Sequence, residues 1–132
     1  MLRLMNERDT IKVVNDQWGS PTWAFDLAVG VLDIIEEVNS GKDFPFGIYH
    51  YTNEGCISWF DFACEIYKIG REQGIIANEC FISPCTSEEY PSKAKRPEYS
   101  VMNKEKIKKS LGIDIPEWRT SLVKYIQSIA DS

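Results

Sequence analysis

With 132 residues, 43% of them hydrophobic, the chain is long enough to close one core and too short for two ordinary domains, so residues 1–132 are read as a single unit. Its formal net charge of -5 and pI near 4.9 weigh against a nucleic-acid partner, which would need clustered Lys and Arg on a basic chain. The four cysteines, Cys56, Cys64, Cys80 and Cys85, form no C-x-x-C pair and His50 is the single histidine, a poor donor set for zinc and the usual picture of free thiols in a reducing cytoplasm.

Met1, Leu2, Leu4 and Met5 ahead of Asn6, Glu7 and Arg8 read as the last turns of a helix with no capping signal before it. The interruption by Arg3, Asn6, Glu7 and Arg8 is unlike a signal peptide. Ile11 to Asp16 is a β-branched run that suits a strand. Ser20-Pro21-Thr22 reads as a helix start, the hydroxyls able to cap and the proline tolerated in a first turn. From Ala24, Leu27, Ala28, Val31, Leu32, Ile35 and Val38 recur at helical spacing up to Asn39-Ser40-Gly41.

Ile48-Tyr49-His50-Tyr51 is β-prone and bounded by Asn53 and Gly55, which predicts a strand. Ser58 with Asp61 resembles a capping box, and Phe62, Ala63, Ile66, Tyr67 and Ile69 continue one apolar face to a stop at Gly70 or Gly74. Cys80 to Pro97 reads as mostly irregular, because Pro84, Pro91 and Pro97 remove donors and disfavour helix before them. Asn103 starts a short helix to Leu111-Gly112, and Pro116 opens a last one on which Trp118, Leu122, Tyr125, Ile126 and Ile129 share a face. No apolar run approaches the roughly 18 to 20 residues of a membrane helix, so a soluble protein with no membrane partner is expected.

Two clusters carry chemistry. Asp16-Gln17-Trp18-Gly19-Ser20-Pro21-Thr22 is a glycine-containing turn before a helix, where amides and small hydroxyls can meet an anionic ligand. Taken alone, a plain capped loop is the favoured reading. Arg96-Pro97-Glu98-Tyr99-Ser100 follows Lys93 and Lys95, and a guanidinium on a stiff loop suits a diphosphate. Alone, solvated loop charge is favoured there. Trp118 reads as a core anchor, Lys104, Lys106, Lys108 and Lys109 as a solvated helix face, and His50 as packed or hydrogen-bonded. Glu88 and Glu89 can do acid-base work only if buried together.

In combination the pattern is specific. V-V-N-D-Q-W-G-S-P-T-W-A-F-D-L-A at 13–28, G-I-Y-H-Y-T at 47–52, S-W-F-D-F-A-C-E-I at 58–66 and A-K-R-P-E-Y-S-V-M-N at 94–103 resemble dTDP-4-dehydrorhamnose reductases, of the extended short-chain dehydrogenase/reductase superfamily. Trp18 and Trp23 stand where the family leads one to expect an aliphatic residue and a tyrosine. The sequence has no G-x-x-G-x-x-G, and no tyrosine is followed by a lysine four residues on.

The resemblance therefore implies an α/β fold of about four helices and a few short strands. It also implies that residues 1–132 are the nucleotide-sugar-binding C-terminal portion of such a reductase, with the Rossmann half absent. It further implies a dTDP-sugar substrate gripped by Gln17, Ser20, Thr22 and Arg96, with no catalytic, cofactor-binding or metal residue in this chain. NADPH serves the full-length family and is not expected to bind this chain alone. The implied partners are the N-terminal Rossmann domain and, through an uncovered face of the Ala24 helix, a second copy. The parent activity implied is reduction of dTDP-4-dehydro-L-rhamnose to dTDP-L-rhamnose. The alternatives are a non-catalytic nucleotide-sugar-binding or regulatory protein of the same fold, or a reductase or epimerase of another nucleotide sugar.

Overall fold

Alternation sets the first strand: in β1 (Thr10–Val14), Ile11 and Val13 are buried while Thr10 and Lys12 face solvent. The computed structural model describes residues 1–41, 43–90 and 94–131, so Pro91 and Lys93 lie outside the described residues. The elements are α1 (Leu2–Glu7), β1, β2 (Trp18–Gly19), α2 (Ala24–Asn39), β3 (Ile57–Ser58), α3 (Trp59–Glu72), β4 (Phe81–Cys85), α4 (Glu105–Leu111) and α5 (Trp118–Ala130). The fold is α/β, with five helices where the sequence pattern led us to expect about four, and short strands in two small sheets.

The parallel sheet is a departure from the expected irregular stretch after Cys80. β4 pairs with β1 in register from Thr10↔Phe81 to Val14↔Cys85, with Pro84 opposite Val13. A proline lacks the N–H for a ladder bond, and it is tolerated here because β4 has a partner strand on one side only. Conversely, Ile48 to Tyr51 forms no strand. Its β-prone residues find no partner strand among the described residues, Ile48 and Phe46 are among the most exposed apolar side chains, and His50 is exposed rather than packed. Composition favours extension there, but a strand exists only as one half of a pair.

One core joins α1, β1, α3 and α5 through Met5, Ile11, Val13, Ala63, Ile66, Ile69, Leu122 and Ile126, with Trp118 packed at its margin. Burying a leucine- or isoleucine-sized side chain stabilises by about 1.5 to 3 kcal/mol, so this cluster is the main source of order. A second, smaller cluster of Ile107, Ile113 and Ile115 meets Ile34, Tyr49 and Tyr51. Gly112, at φ +62°, ends α4 in the left-handed cap the sequence predicts.

α2 is oriented against the expectation from its apolar stripe. Asp26 and Gly30 are buried and Ile34 is half-buried, whereas Leu27, Val31 and Ile35 face outward. Nor do Ser20 and Thr22 cap it: the residue before the helix is Trp23, without a side-chain cap of its own, and its N–H goes to Asn53 Oδ1 at 3.0 Å. Pro116 likewise stays outside α5, which begins at Trp118 after Glu117. No helix among the described residues is long and apolar enough to cross a membrane.

Candidate nucleotide-sugar site

The chain leaving β1 forms an arm, residues 15–23, that threads between three other segments before α2 begins. Asn15 N donates to Cys85 O at 3.0 Å, prolonging the β1–β4 pairing by one residue. The Asp16 carboxylate then takes both the N–H and the hydroxyl of Ser87, at 2.8 and 2.7 Å. These two bonds, the backbone one first, hold the Asp16 carboxyl below its usual value. Gln17 is buried, its Nε2 donating to Ser87 Oγ at 2.9 Å and its carbonyl accepting from Trp59 N at 3.2 Å.

At Trp18 the arm meets the loop that follows Arg96. Trp18 N donates to Glu98 O at 2.7 Å, and Trp18 O accepts from Ser100 N at 2.9 Å and Ser100 Oγ at 3.0 Å. On its other edge β2 pairs antiparallel with β3, placing Trp18 opposite Ser58. Gly19 is buried here, and a Cβ on it would lie 2.8 Å from Ser100 Oγ, so any larger residue would have to push that hydroxyl from its bond to Trp18 O. Ser20 Oγ donates to Gly55 O at 2.7 Å, and Thr22 Oγ1 donates to Ser20 O at 3.0 Å.

Of the four residues expected to grip a ligand, the structure brings Gln17 and Ser20 onto one arm with fixed side chains. It places Arg96 on the segment that arm pairs with, two residues before Glu98. Arg96 is exposed, and among the described residues no hydrogen bond or ion pair engages it. Thr22 is exposed and bonded to its own arm and to Asn53 N at 3.2 Å. The hydroxyls of Ser20 and Thr22 spend their hydrogens on carbonyls, so toward a ligand they present acceptor lone pairs.

Two other readings of the sequence are decided by the structure. Glu88 and Glu89 are both exposed, and Glu89 accepts from Thr86 N at 2.8 Å, a turn contact rather than a buried acid-base pair. Lys104 is not on a solvated face: it is buried, with its Nζ 3.2 Å from both Asn53 O and Glu54 Oε2. Lys108 joins the same carboxylate at 2.9 Å. Ser87 and Asn53, which orient the two ends of the arm, were missed by sequence reasoning. They lie 70 and 30 residues from Gln17 and Trp23, beyond the reach of any local pattern.

The arm offers no dinucleotide cradle. Its one glycine lies against the Ser100 hydroxyl, the Trp18 amide is taken by Glu98 O, and the Trp23 amide is taken by Asn53. A nicotinamide dinucleotide is typically met by a glycine-rich turn that lets the backbone approach its pyrophosphate, and the residues of this arm do not supply such a turn. Among the described residues, no three His, Cys, Asp or Glu side chains gather as a metal site.

A family model described as the RmlD substrate binding domain matches residues 1–130. The chain belongs to this family. The dTDP-4-dehydrorhamnose reductase of Aggregatibacter actinomycetemcomitans is 38% identical over 131 residues, which are 99% of this chain and 44% of that protein. The spore coat polysaccharide biosynthesis protein SpsK of Bacillus subtilis is 39% identical over 127 residues, 96% of this chain and 40% of its own length. Among solved structures, a dTDP-4-dehydrorhamnose reductase of Clostridium acetobutylicum matches with a TM-score of 0.82 at 40% identity, over 97% of this chain and 41% of that one. That of Bacillus anthracis, solved in complex with NADP, matches with a TM-score of 0.83 at 31% identity, over 96% and 41%. The chain thus spans 40 to 44% of the length of these four relatives.

Proposed function

We propose that residues 1–132 form one nucleotide-sugar-binding unit, the C-terminal part of a cytoplasmic NADPH-dependent reductase that converts dTDP-4-dehydro-L-rhamnose to dTDP-L-rhamnose. The observation that carries this reading is the pairing of the Gln17–Ser20 arm with the loop behind Arg96, through Trp18, Glu98 and Ser100. It brings the segment that carries Arg96, exposed and without a hydrogen-bond or ion-pair partner among the described residues, up to a hydrogen-bonded polar arm, which supports a reading in which the two together meet a sugar diphosphate. Family membership supplies the choice of nucleotide sugar.

In this reading Arg96 grips the diphosphate, while Gln17, Ser20 and Thr22 lie along the sugar or the cleft above it. Their contribution is orientation: a substrate held in one pose has already lost the freedom that a reaction would otherwise cost. Hydride transfer and proton donation belong to the Rossmann half of the parent protein. What supports this is that the sequence has neither a glycine-rich dinucleotide turn nor a Tyr-x-x-x-Lys pair.

The test is Arg96→Ala in the full-length parent, titrated calorimetrically with the sugar nucleotide and separately with NADPH. Loss of one charge-assisted phosphate contact costs about 1.5 to 3 kcal/mol, so affinity for the sugar nucleotide should fall roughly ten- to a hundredfold. NADPH affinity should not change. Equal sugar-nucleotide affinity in the variant removes Arg96 from the site.

A further inference from the structure

Segments far apart in sequence converge on Asn53, which is fully buried. Its Nδ2, whose two hydrogens are shared among three acceptors, lies 2.7 Å from Asp26 Oδ2 in α2, 2.9 Å from Ser121 Oγ in α5 and 3.1 Å from Pro116 O. Its Oδ1 accepts the N–H of Trp23 at 3.0 Å. The backbone of the same residue is engaged as well, its N–H by Thr22 Oγ1 and its carbonyl by Lys104 Nζ. Ser121 closes the knot by donating to Asp26.

A fully buried amide is costly unless hydrogen-bonded, and the polar atoms of Asn53 all have partners. A primary amide does what no apolar side chain of its size can do: it offers donors on one side and an acceptor on the other. Here the donors face α2, α5 and Pro116, and the acceptor faces the last residue of the arm. The arm is held at its start by Ser87 and by residues 98–100, whereas its later anchors, Ser20 to Gly55 and Thr22 and Trp23 to Asn53, all lie on residues 53–55.

We propose that Asn53 is a positioning residue for the nucleotide sugar: it ties the end of the arm to α2 and α5, and so sets where Gln17 and Ser20 stand against the Arg96 loop. This inference rests on the nucleotide-sugar reading above and adds to it the residue that fixes the arm. A buried polar network with every member satisfied has one arrangement of low energy, which makes it a stiff mount for a neighbouring site.

The experiment compares Asn53→Ala with Ser121→Ala in the 132-residue chain, using thymidine diphosphate as the calorimetric probe and amide exchange at Trp23 as the local one. Both substitutions take hydrogen bonds from the same knot, but only Asn53 touches the arm. Asn53→Ala should free the Trp23 amide and lower nucleotide affinity roughly ten- to a hundredfold, the scale of effect expected from a displacement of about 1 Å. Ser121→Ala should leave Trp23 protected and affinity within about twofold of the starting protein. If Asn53→Ala does not fold, Asn53→Ser takes its place, since a hydroxyl has one hydrogen against the amide's two and cannot keep both the donations and the bond accepted from Trp23.

Equal losses of affinity in the two variants, at matched thermal stability, would reduce Asn53 to a structural role and overturn the inference. So would unchanged affinity with a freed Trp23 amide. If Arg96→Ala weakens binding while Asn53→Ala does not, the inference falls and the nucleotide-sugar reading stands. If the unaltered chain takes up no thymidine diphosphate, both fall.

Discussion

Glu54 stands between two lysines, and its ionisation is where acid sensitivity should appear. The hydrogen bond from Lys108 is the largest influence holding its carboxyl below the ordinary 4.5, Lys104 adds to it, and burial opposes both. Because the folded-state value is lowered, the stabilisation is fully present above about pH 4.5 and is lost as pH falls through the lower folded value. Glu54→Gln should therefore flatten the acid limb of the stability profile. It should also cost on the order of 1 to 3 kcal/mol at neutral pH, since Lys104 is left buried beside an uncharged partner. Urea melts of both proteins between pH 7 and pH 3.5 check this, and parallel profiles would contradict it. At this scale the sequence was legible only in part. Gln17 and Arg96 stood out because their neighbours spell a family pattern, while Lys104 looked like one more lysine on a charged helix. Its burial depends on Asn53 O and Glu54, 51 and 50 residues away, and nothing in K-E-K-I-K-K encodes that.

Elements were legible where the signal is local and illegible where it depends on a partner. The start of α3 is local. Ser58 Oγ accepts from Asp61 N at 3.0 Å and donates to Asp61 Oδ2 at 2.6 Å, a variant of the predicted capping box in which the acid answers the hydroxyl instead of the Ser58 amide. Ser58→Ala should cost about 1 kcal/mol with an unchanged denaturant slope, because the cap stabilises the helix without altering the surface exposed on unfolding. Equilibrium urea unfolding decides it, and no change in midpoint would mean that the cap contributes nothing. β4 shows the opposite case: Phe81 to Cys85 becomes a strand because β1 lies beside it, and Pro84 misled the reading since its missing N–H matters only if a second strand needs it. Ile48 to Tyr51 has better strand composition and forms none, for want of a neighbour. The same dependence hid the arm's geometry, since the Ser87 contacts follow directly from the β1–β4 pairing.

For the molecule as a whole, the unresolved force is the apolar face of α2. Phe25 and Leu32 are 59% and 57% exposed, with Leu27, Val31 and Ile35 between 42% and 48%. The periodicity correctly marked an apolar helix, but the face turned inward carries Asp26, Gly30 and Ile34, because Asn53 and Ser121 claim Asp26 and the Tyr51 ring packs on Gly30. A contiguous apolar patch beyond a few hundred square ångströms is rare on a protein that stays monomeric and usually marks an interface. The parent protein proposed above would offer its Rossmann half as cover for this face; for the 132-residue chain by itself, a second copy is the available cover. Burial at about 25 cal/mol per square ångström yields several kcal/mol per protomer before the loss of translational and rotational freedom is subtracted. Self-association should therefore appear with rising concentration, and Leu27→Glu with Leu32→Glu should abolish it, since charges desolvated at such a contact have no partner to offset the cost. Sedimentation equilibrium over a wide concentration range decides the matter. A strictly monomeric chain that binds no hydrophobic dye would show that α2 needs no cover, and the case for a covering partner would lose its physical ground.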